Sequence, residues 1–369
     1  MAGLYIHIPF CKSRCIYCGF YSTVNIELRQ RYVNALCQEW QIRKGELTEA
    51  IDTIYIGGGT PSQLTTAQLQ QLLEPLPSAK EITVEMNPDD VTASYAAGLS
   101  QLPVNRVSMG VQTFNDARLR FLKRRHTADQ IPLAIQHLRD AGIHNISIDL
   151  MYGFPGETLE DWQHDIDSAL SLHVEHLSAY CLMVEEGTPL HEMAINAIDE
   201  ETEYQMYELL IDKLTSAGFE HYEISNFARL KNPSTGDSWR SLHNNNYWRD
   251  VPYLGLGAAA HSYDFKSRQW NVSDIRQYIE AIEQRRIPSE RELLDSDTHY
   301  NDRITVALRT CEGLDLTTFS ESQRAYCLKE AQRFLSDGML RLTDNHLILT
   351  RKGLFISDHI MSSLMIVND

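Results

Sequence analysis

The 369-residue chain has few basic residues for its size. Its 33 lysines and arginines are outnumbered by 50 aspartates and glutamates, which gives a net charge of −17. Proteins that bind nucleic acid rely on basic patches, so this balance argues against a nucleic-acid partner. Apolar runs are also short, and the run at 254–260 is far below the length of a membrane-spanning helix. The sequence therefore predicts a protein that is not an integral membrane protein.

The cysteines lack the pattern of a disulfide framework. There are seven, an odd number, and four of them are widely scattered: Cys37, Cys181, Cys311 and Cys327. Isolated cysteines of this kind are most often small buried hydrophobes. The N-terminus also lacks the charged region of a signal peptide. These absences together predict a protein of the reducing cytoplasm.

The other three cysteines lie close together near the start of the chain. The stretch 5–20, YIHIPFCKSRCIYCGF, places Cys11, Cys15 and Cys18 in a C-x3-C-x2-C spacing. They must share a loop, because an extended chain spans only about 3.5 Å per residue. Thiolates at this density suit a soft metal centre. Three of them could hold an iron–sulfur cubane with one iron left open, and the alternative is a structural zinc site completed by His7 or a distant histidine.

Six apolar, β-branched segments alternate with helical patterns over the first half of the chain. The predicted strands are 3–8, 52–56, 81–86, 106–111, 145–151 and 176–182. Strands that alternate with helices form a parallel sheet with right-handed crossovers. Six units are too few to close an eight-fold barrel, so we predict an α/β fold with an open, partial (β/α)6 barrel. Functional side chains are expected at the C-terminal ends of its strands.

The C-terminal part has a different pattern. Predicted helices at 302–310, 327–337 and 352–361 surround a short strand pair at 340–342 and 346–349, which is typical of a small α+β, winged-helix-like domain. This part lacks the basic recognition helix of a DNA reader. The predicted domains are the partial barrel at 1–228, a connecting region at 229–285, which begins near a turn-rich loop at 231–237, and the winged-helix-like domain at 286–369.

The residues YIHIPFC around the first cysteine resemble those of the radical S-adenosylmethionine (SAM) superfamily. The match is to the branch that holds the oxygen-independent coproporphyrinogen III dehydrogenases and the HemW-type heme chaperones. The resemblance implies a partial (β/α)6 barrel and a [4Fe–4S] cluster held by Cys11, Cys15 and Cys18. It further implies that SAM chelates the open iron through its amino and carboxylate groups.

The resemblance also implies a SAM site built from residues that follow successive strands. Gly57, Gly58, Gly59 and Thr60 match the segment that contacts the methionine amino group. Glu85 matches the acid that pairs with the SAM ammonium group.

Four further residues match family positions around the nucleoside and the carboxylate. Gln112 and Asp149 correspond to the ribose contacts, and Tyr17 to the aromatic residue that stacks on adenine. Arg124 corresponds to the arginine that holds the SAM carboxylate, with Arg125 as the alternative, because sequence does not determine which side chain points inward. Tyr5 lies at the other side of the cysteine loop.

Departures from the dehydrogenases favour the chaperone branch. The dehydrogenases carry a fourth cysteine where this chain has Phe20, and an N-terminal arm for which only ten residues are present here. The motif HNNNYW at 243–248 and the stretch GLGAAAHSY at 255–263 resemble the HemW-type proteins. His243 is the candidate axial ligand for heme, with His126 and His261 as lesser candidates.

We therefore interpret the chain as a cytoplasmic heme chaperone that binds heme and passes it to client proteins, an interpretation that leaves membrane-associated clients open. The first alternative is a coproporphyrinogen III dehydrogenase, which would use a 5′-deoxyadenosyl radical to abstract hydrogen from propionate side chains. The second alternative is a radical SAM enzyme that acts on another substrate.

Overall fold

The computed structural model describes residues 1–193, 195–232 and 237–367. Positions 233–236 of the predicted turn-rich loop lie outside the described residues. Six parallel strands follow one another in chain order, as predicted: β1 (Ala2–Ile8), β2 (Ile51–Gly58), β3 (Glu81–Met86), β4 (Arg106–Gln112), β5 (Asn145–Tyr152) and β6 (His176–Cys181). Within the described residues, no helix is both long and apolar enough to cross a membrane.

Helices connect these strands and cover one face of the sheet. They are α1 (Arg29–Arg43), α2 (Thr66–Leu73), α3 (Ala93–Leu99), α4 (Asp116–Phe121), α5 (Gln130–Asp140) and α6 (Leu159–Ser171). Two of them begin with a complete capping box, in which Thr65 pairs with Gln68 and Thr158 pairs with Asp161. Apolar side chains from the strands and from these helices form one large core. The predicted partial barrel is confirmed.

The sheet extends beyond the six parallel strands at both edges. The additional elements are α7 (Glu200–Ser216), β7 (Phe219–Glu223), β8 (Asn226–Asn232), β9 (Asp237–Ser238), α8 (Leu242–Trp248), β10 (Tyr253–Leu256), β11 (His261–Tyr263), β12 (Ser267–Asn271), α9 (Ile275–Glu283) and β13 (Ser289–Leu293). Strand β8 pairs antiparallel with β6, and β10 pairs parallel with β1. Strands β11, β12 and β13 continue from β10 as an antiparallel meander. The region predicted as a connection thus contributes strands to the main sheet.

The C-terminal part has its own hydrophobic core. Its elements are α10 (Ser296–Ala307), β14 (Leu314–Asp315), α11 (Glu321–Ser336), β15 (Leu340–Thr343), β16 (His346–Leu349), α12 (Arg351–Leu354) and α13 (Ser357–Leu364). The predicted two-stranded wing is present as β15 and β16, and β14 pairs with the other edge of β16. The predicted domain boundaries stay predictions, and the first of them falls inside strand β8.

Candidate functional site

A cavity of about 640 Å³ lies between the cysteine loop and the inner face of the parallel strands. This volume is within the usual range for ligand pockets. Most of the predicted site residues line it: Cys11, Cys15, Tyr17, Cys18, Gly58, Gly59, Thr60, Glu85, Gln112, Arg124 and Asp149. Tyr5, Gly57 and His243 do not line it. The sequence therefore predicted the location of the cavity and eleven of the residues that line it.

The cysteine loop is held in place by backbone hydrogen bonds to three other segments. The amide of Cys11 donates to Thr23 at 2.9 Å. Ile16 donates to the carbonyl of Leu122 at 3.3 Å and accepts from the amide of Leu190 at 2.9 Å. The side chain of Ile16 is buried against Leu122 and Leu190 in a small separate core. The loop is thus positioned before any cofactor binds.

The three thiols have different surroundings in the cavity wall. Burial raises the pKa of Cys11 and of Cys18. Arg124 Nη1 lies 3.8 Å from Cys15 Sγ, and Thr60 Oγ1 lies 3.5 Å from Cys11 Sγ. Among the described residues, no three histidine, cysteine, aspartate or glutamate side chains form a ready-made site for a metal ion.

These three thiols fit an iron–sulfur cluster. They line a single cavity, and cysteine thiolates are the ligands that iron–sulfur clusters take. Cys11, Cys15 and Cys18 are the residues that would hold the cluster, which supplies an open iron for SAM. The zinc alternative with His7 loses support, because both ring nitrogens of His7 already have partners. Nε2 lies 2.9 Å from the carbonyl of Tyr21, and Nδ1 lies 3.1 Å from the Tyr5 hydroxyl.

The glycine triplet allows the cysteine loop and Glu85 to pack against the end of β2. A Cβ on Gly59 would lie 3.0 Å from Cys11 Sγ and 2.9 Å from the Pro9 backbone. Gly58 has φ +116°, a conformation that side-chain-bearing residues rarely adopt. A Cβ on Gly57 would lie within 3.0 Å of the Glu85 carboxylate. Larger residues at these positions would displace the cysteine loop and Glu85, the predicted partner of the SAM ammonium group.

Glu85 and Asp149 place two carboxylates inside the barrel. The Glu85 carboxylate accepts from the Tyr55 hydroxyl at 2.8 Å and from the Gly58 amide at 3.0 Å. Burial still raises the pKa of Glu85 to about 7. Burial likewise raises the pKa of Asp149 to about 6, although the charge of Arg106 opposes the rise. A bound cation would favour the charged form of both groups.

The predicted pairing of Glu85 with the SAM ammonium group leads us to expect that SAM binding depends on pH. That pairing requires an ionised Glu85, and a carboxyl whose pKa is about 7 must first lose a proton in acidic solution. We expect the SAM affinity of the reconstituted protein to fall as the pH drops from about 8 to about 6, by up to about tenfold per unit below pH 7. Equilibrium dialysis with labelled SAM measures this. In Glu85→Gln the affinity should be weak and should fall much less than in the wild type between pH 8 and pH 6, and an unchanged pH profile in that variant would contradict the assignment.

Gln112 ends β4 in a strained conformation. Its φ is +70°, which is unusual for a residue other than glycine, and the pairing of β4 with β5 shifts register between Gly110 and Gln112. The side chain is buried and lines the cavity. Strain of this kind concentrates at functional sites, which agrees with the predicted contact to ribose.

The structure distinguishes the two candidate arginines. Arg124 lines the cavity and donates to Asn87 Oδ1 at 2.7 Å and to the carbonyl of Gly110. Arg125 points away from the cavity and pairs with Asp89 at 2.8 Å and with Asp90 at 3.2 Å. Arg124 is therefore the side chain that is available to a ligand.

The two predicted aromatic residues take different positions. Tyr17 lines the cavity, where it could stack on a base, and burial raises its pKa. Tyr5 lies behind the wall instead. Its hydroxyl contacts His7, and its ring lies 6.3 Å from that of Tyr55 in a stacked arrangement. Tyr5 supports the site through these neighbours.

His243 is a core residue in this structure. It is 1 % exposed, its Nδ1 lies 2.8 Å from Thr53 Oγ1, and its Nε2 lies 2.9 Å from the Tyr247 hydroxyl. The ring also stacks on Tyr55 at 5.1 Å. Burial, followed by the charge of Arg106, lowers the pKa of His243 to about 3, so the ring is neutral. This arrangement leaves no ring nitrogen free for heme iron, and the heme role of His243 stays a prediction that the geometry does not favour.

The two lesser histidine candidates also lie outside the cavity wall. His126 is buried, with its Nε2 3.1 Å from the carbonyl of Val111. His261 is exposed on β11, where its ring lies 6.0 Å from that of Trp270. None of the three histidines is among the described residues that line the cavity.

The packing of His243 gives a testable expectation for His243→Ala. The change removes a buried ring and leaves the hydroxyls of Thr53 and Tyr247 without this partner. We expect the free energy of unfolding to fall by roughly 2–4 kcal/mol, measured by urea denaturation. The matched control is His261→Ala, which should change stability by less than about 0.5 kcal/mol. Unchanged stability together with lost heme binding would instead establish His243 as a ligand.

Several residues of the cavity wall were not predicted from the sequence. They include Asn87, Arg106, Ser108, Ser178, Tyr180, Cys181 and Met183. The available signal was the two-residue period of a strand, because Arg106, Ser108 and Gly110 occupy alternate positions of β4 and line the cavity. Arg106 and Ser108 lie before the end of their strand, so a search of the strand ends does not find them.

Comparisons with known proteins agree with this geometry. Residues 5–169 match the model of the radical SAM superfamily, and residues 294–356 match the HemN C-terminal domain. The solved structure of coproporphyrinogen III oxidase (HemN) from Escherichia coli, a radical SAM enzyme, superposes with a TM-score of 0.83. The superposition covers 99% of this chain and 90% of the HemN chain, and the two sequences are 23% identical. This level of identity establishes the shared fold alone.

Relatives with higher identity match nearly the whole chain. The heme chaperone HemW of Bacillus subtilis is 33% identical over 99% of both chains. The heme chaperone HemW of Lactococcus lactis is 30% identical over 98% of this chain and 97% of its own length. This chain therefore belongs to the HemW family of the radical SAM superfamily.

Proposed function

We propose that the protein is a heme chaperone, which binds heme beside a SAM-ligated [4Fe–4S] cluster and passes the heme to client proteins. The observation that carries this proposal is the similarity to heme chaperones over practically the full length of the chain. Membership of the radical SAM superfamily implies the cluster and SAM.

The mouth of the cavity supports the heme part of the proposal. Three apolar side chains that line the cavity are also open to solvent: Phe20 is 72% exposed, Met183 is 68% exposed and Tyr180 is 43% exposed. Large apolar side chains gathered in this way at the mouth of a cavity are typical of a binding surface. The faces of a heme macrocycle are flat and apolar, so a heme could pack against these side chains. We call these three residues the apolar rim.

The test uses protein that has been purified and reconstituted without oxygen. It should bind hemin, as followed by the change in the visible spectrum, and coproporphyrinogen III with SAM and a reductant should give no protoporphyrinogen. Heme-loaded protein should also transfer heme to membranes from heme-starved cells. Efficient porphyrinogen turnover without heme binding would reject the chaperone and establish the dehydrogenase.

The apolar rim provides a matched pair of variants. Phe20→Ser combined with Met183→Ser should weaken hemin binding by about tenfold or more, because two exposed apolar contacts are lost. Leu293→Ser changes a side chain that is 78% exposed on β13 and does not line the cavity, and it should leave hemin affinity unchanged. If the wild type, the double variant and Leu293→Ser bound hemin with equal affinity, the heme would bind elsewhere.

A further inference from the structure

Two arginines are almost completely buried, and they differ in their hydrogen-bond partners. Arg43 and Arg106 are each 1% exposed. The Arg43 guanidinium donates to Glu39, Glu46, Ser262 and the carbonyl of Gly255. Among the hydrogen bonds of the described residues, none comes from the Arg106 guanidinium, and its Nε and Nη1 are buried without a partner.

Arg106 lies at the deep end of the cavity. It is the first residue of β4 and one of the residues that line the cavity wall. Gly110, whose carbonyl accepts from Arg124, is four residues farther along the strand, roughly 13 Å away at the rise of an extended strand. The guanidinium of Arg124 is therefore near the cysteine loop, as is that of Arg14 within the loop, and the guanidinium of Arg106 is at the base of the cavity.

The carboxyl groups near Arg106 do not pair with it directly. The Glu85 carboxylate is bonded to Tyr55 and to Gly58. Asp149 is affected by the charge of Arg106 without a hydrogen bond between them. Burial, followed by the same charge, lowers the pKa of His176 and of His243. Thr83 is directly opposite Arg106 in the register of β3 and β4, and its Oγ1 is also buried without a partner.

A buried guanidinium is costly unless it is paired and hydrogen-bonded. Arginine also matches the planar geometry of a carboxylate better than any other side chain. We propose that Arg106 is the anchor for a carboxylate group of a ligand that enters this cavity. The ligand of the proposed function that fits is heme, through its propionates, because the SAM carboxylate is assigned to Arg124 and the open iron at the other end of the cavity. The choice of heme rests on the proposed function.

The experiment compares hemin with hemin dimethyl ester, which lacks the free carboxylates, on wild-type protein and on Arg106→Gln. The wild type should lose about tenfold or more in affinity with the ester. Arg106→Gln should bind both forms equally.

Thermal unfolding of the ligand-free protein adds a second measurement. Removing an unpaired buried charge should leave the melting temperature of Arg106→Gln unchanged or higher. The matched control, Arg43→Gln, breaks a paired buried cation and should lower it. An Arg106→Gln protein that melts as early as Arg43→Gln would overturn the proposal, since Arg106 would then be a structural counter-ion.

The outcomes distinguish a failure of this proposal from a failure of the proposed function. Wild-type protein that binds hemin and its dimethyl ester equally, or equal effects of Arg106→Gln on both forms, would overturn the carboxylate anchor while hemin binding stands. Absence of hemin binding to the wild type would reject the heme chaperone and the anchor together.

Discussion

Replacing Cys11, Cys15 and Cys18 together with serine should remove almost all cluster iron from the protein. After anaerobic reconstitution, the unaltered chain should hold about four irons and four sulfides, as a cubane on cysteine thiolates requires. Serine cannot supply the soft thiolate ligand that iron in such clusters takes. Iron and sulfide assays, with the broad visible absorption of the cluster, measure the loss.

The matched control for this experiment is Cys311→Ser. Cys311 is exposed and lies next to Arg240, with its Sγ 3.3 Å from Arg240 Nη2 and outside the cavity. Its replacement should leave the iron content unchanged. Stoichiometric zinc in the reconstituted protein, or full iron content in the triple variant, would show that the three thiols do not hold a cluster.

Arg124→Ala and Glu85→Ala should each weaken SAM binding by more than about tenfold while the cluster stays intact. Both side chains are charged groups in the cavity wall, where the loss of one partner of a buried charged pair costs about 2–5 kcal/mol. Equilibrium dialysis with labelled SAM gives the affinity, and the iron content confirms that the cluster is present.

Arg125→Ala is the control because it removes the neighbouring charge without altering the cavity wall. Its pairs with Asp89 and Asp90 are partly exposed, so SAM affinity should change by less than about fivefold. If Arg125→Ala weakened SAM binding and Arg124→Ala did not, the carboxylate contact would belong to Arg125. Unchanged affinity in both Arg124→Ala and Glu85→Ala would mean that SAM binds elsewhere.

The local patterns of the sequence were sufficient to predict the six central strands, and the resemblance to the radical SAM superfamily supplied the predicted residues of the cavity wall. Strand and helix periodicities are short-range signals, and parallel strands bring their C-terminal ends to one edge of the sheet. Glu85, Gln112 and Asp149 could therefore be placed together before any contact was known. The glycine triplet was predicted as a ligand contact, and the structure adds its packing against Cys11 and Glu85.

Long-range pairing was not predictable from these signals. Strand β10 has only four residues and lies in a glycine-rich stretch, so nothing local indicated that it would pair with β1. The orientation of His243 depends on the same pairing, since α8 packs against β1 and β2. How deep Arg106 lies in the cavity depends on the register of β4 against its neighbours. That register is determined by tertiary contacts, which the local pattern does not show.

The pairing of β10 with β1 has a consequence for how the chain completes its cluster loop during synthesis. Strand β1 leads directly into the cysteines, yet one of its two neighbours is made of residues 253–256. Until the ribosome has delivered that segment, β1 is an edge strand with unpaired backbone groups, which favour misassociation with other chains. If iron were bound before that point, the cysteine loop would follow a strand that has only one of its two neighbours. The cysteine motif, although it is made first, thus has its neighbouring strands complete only after residue 256 has been made.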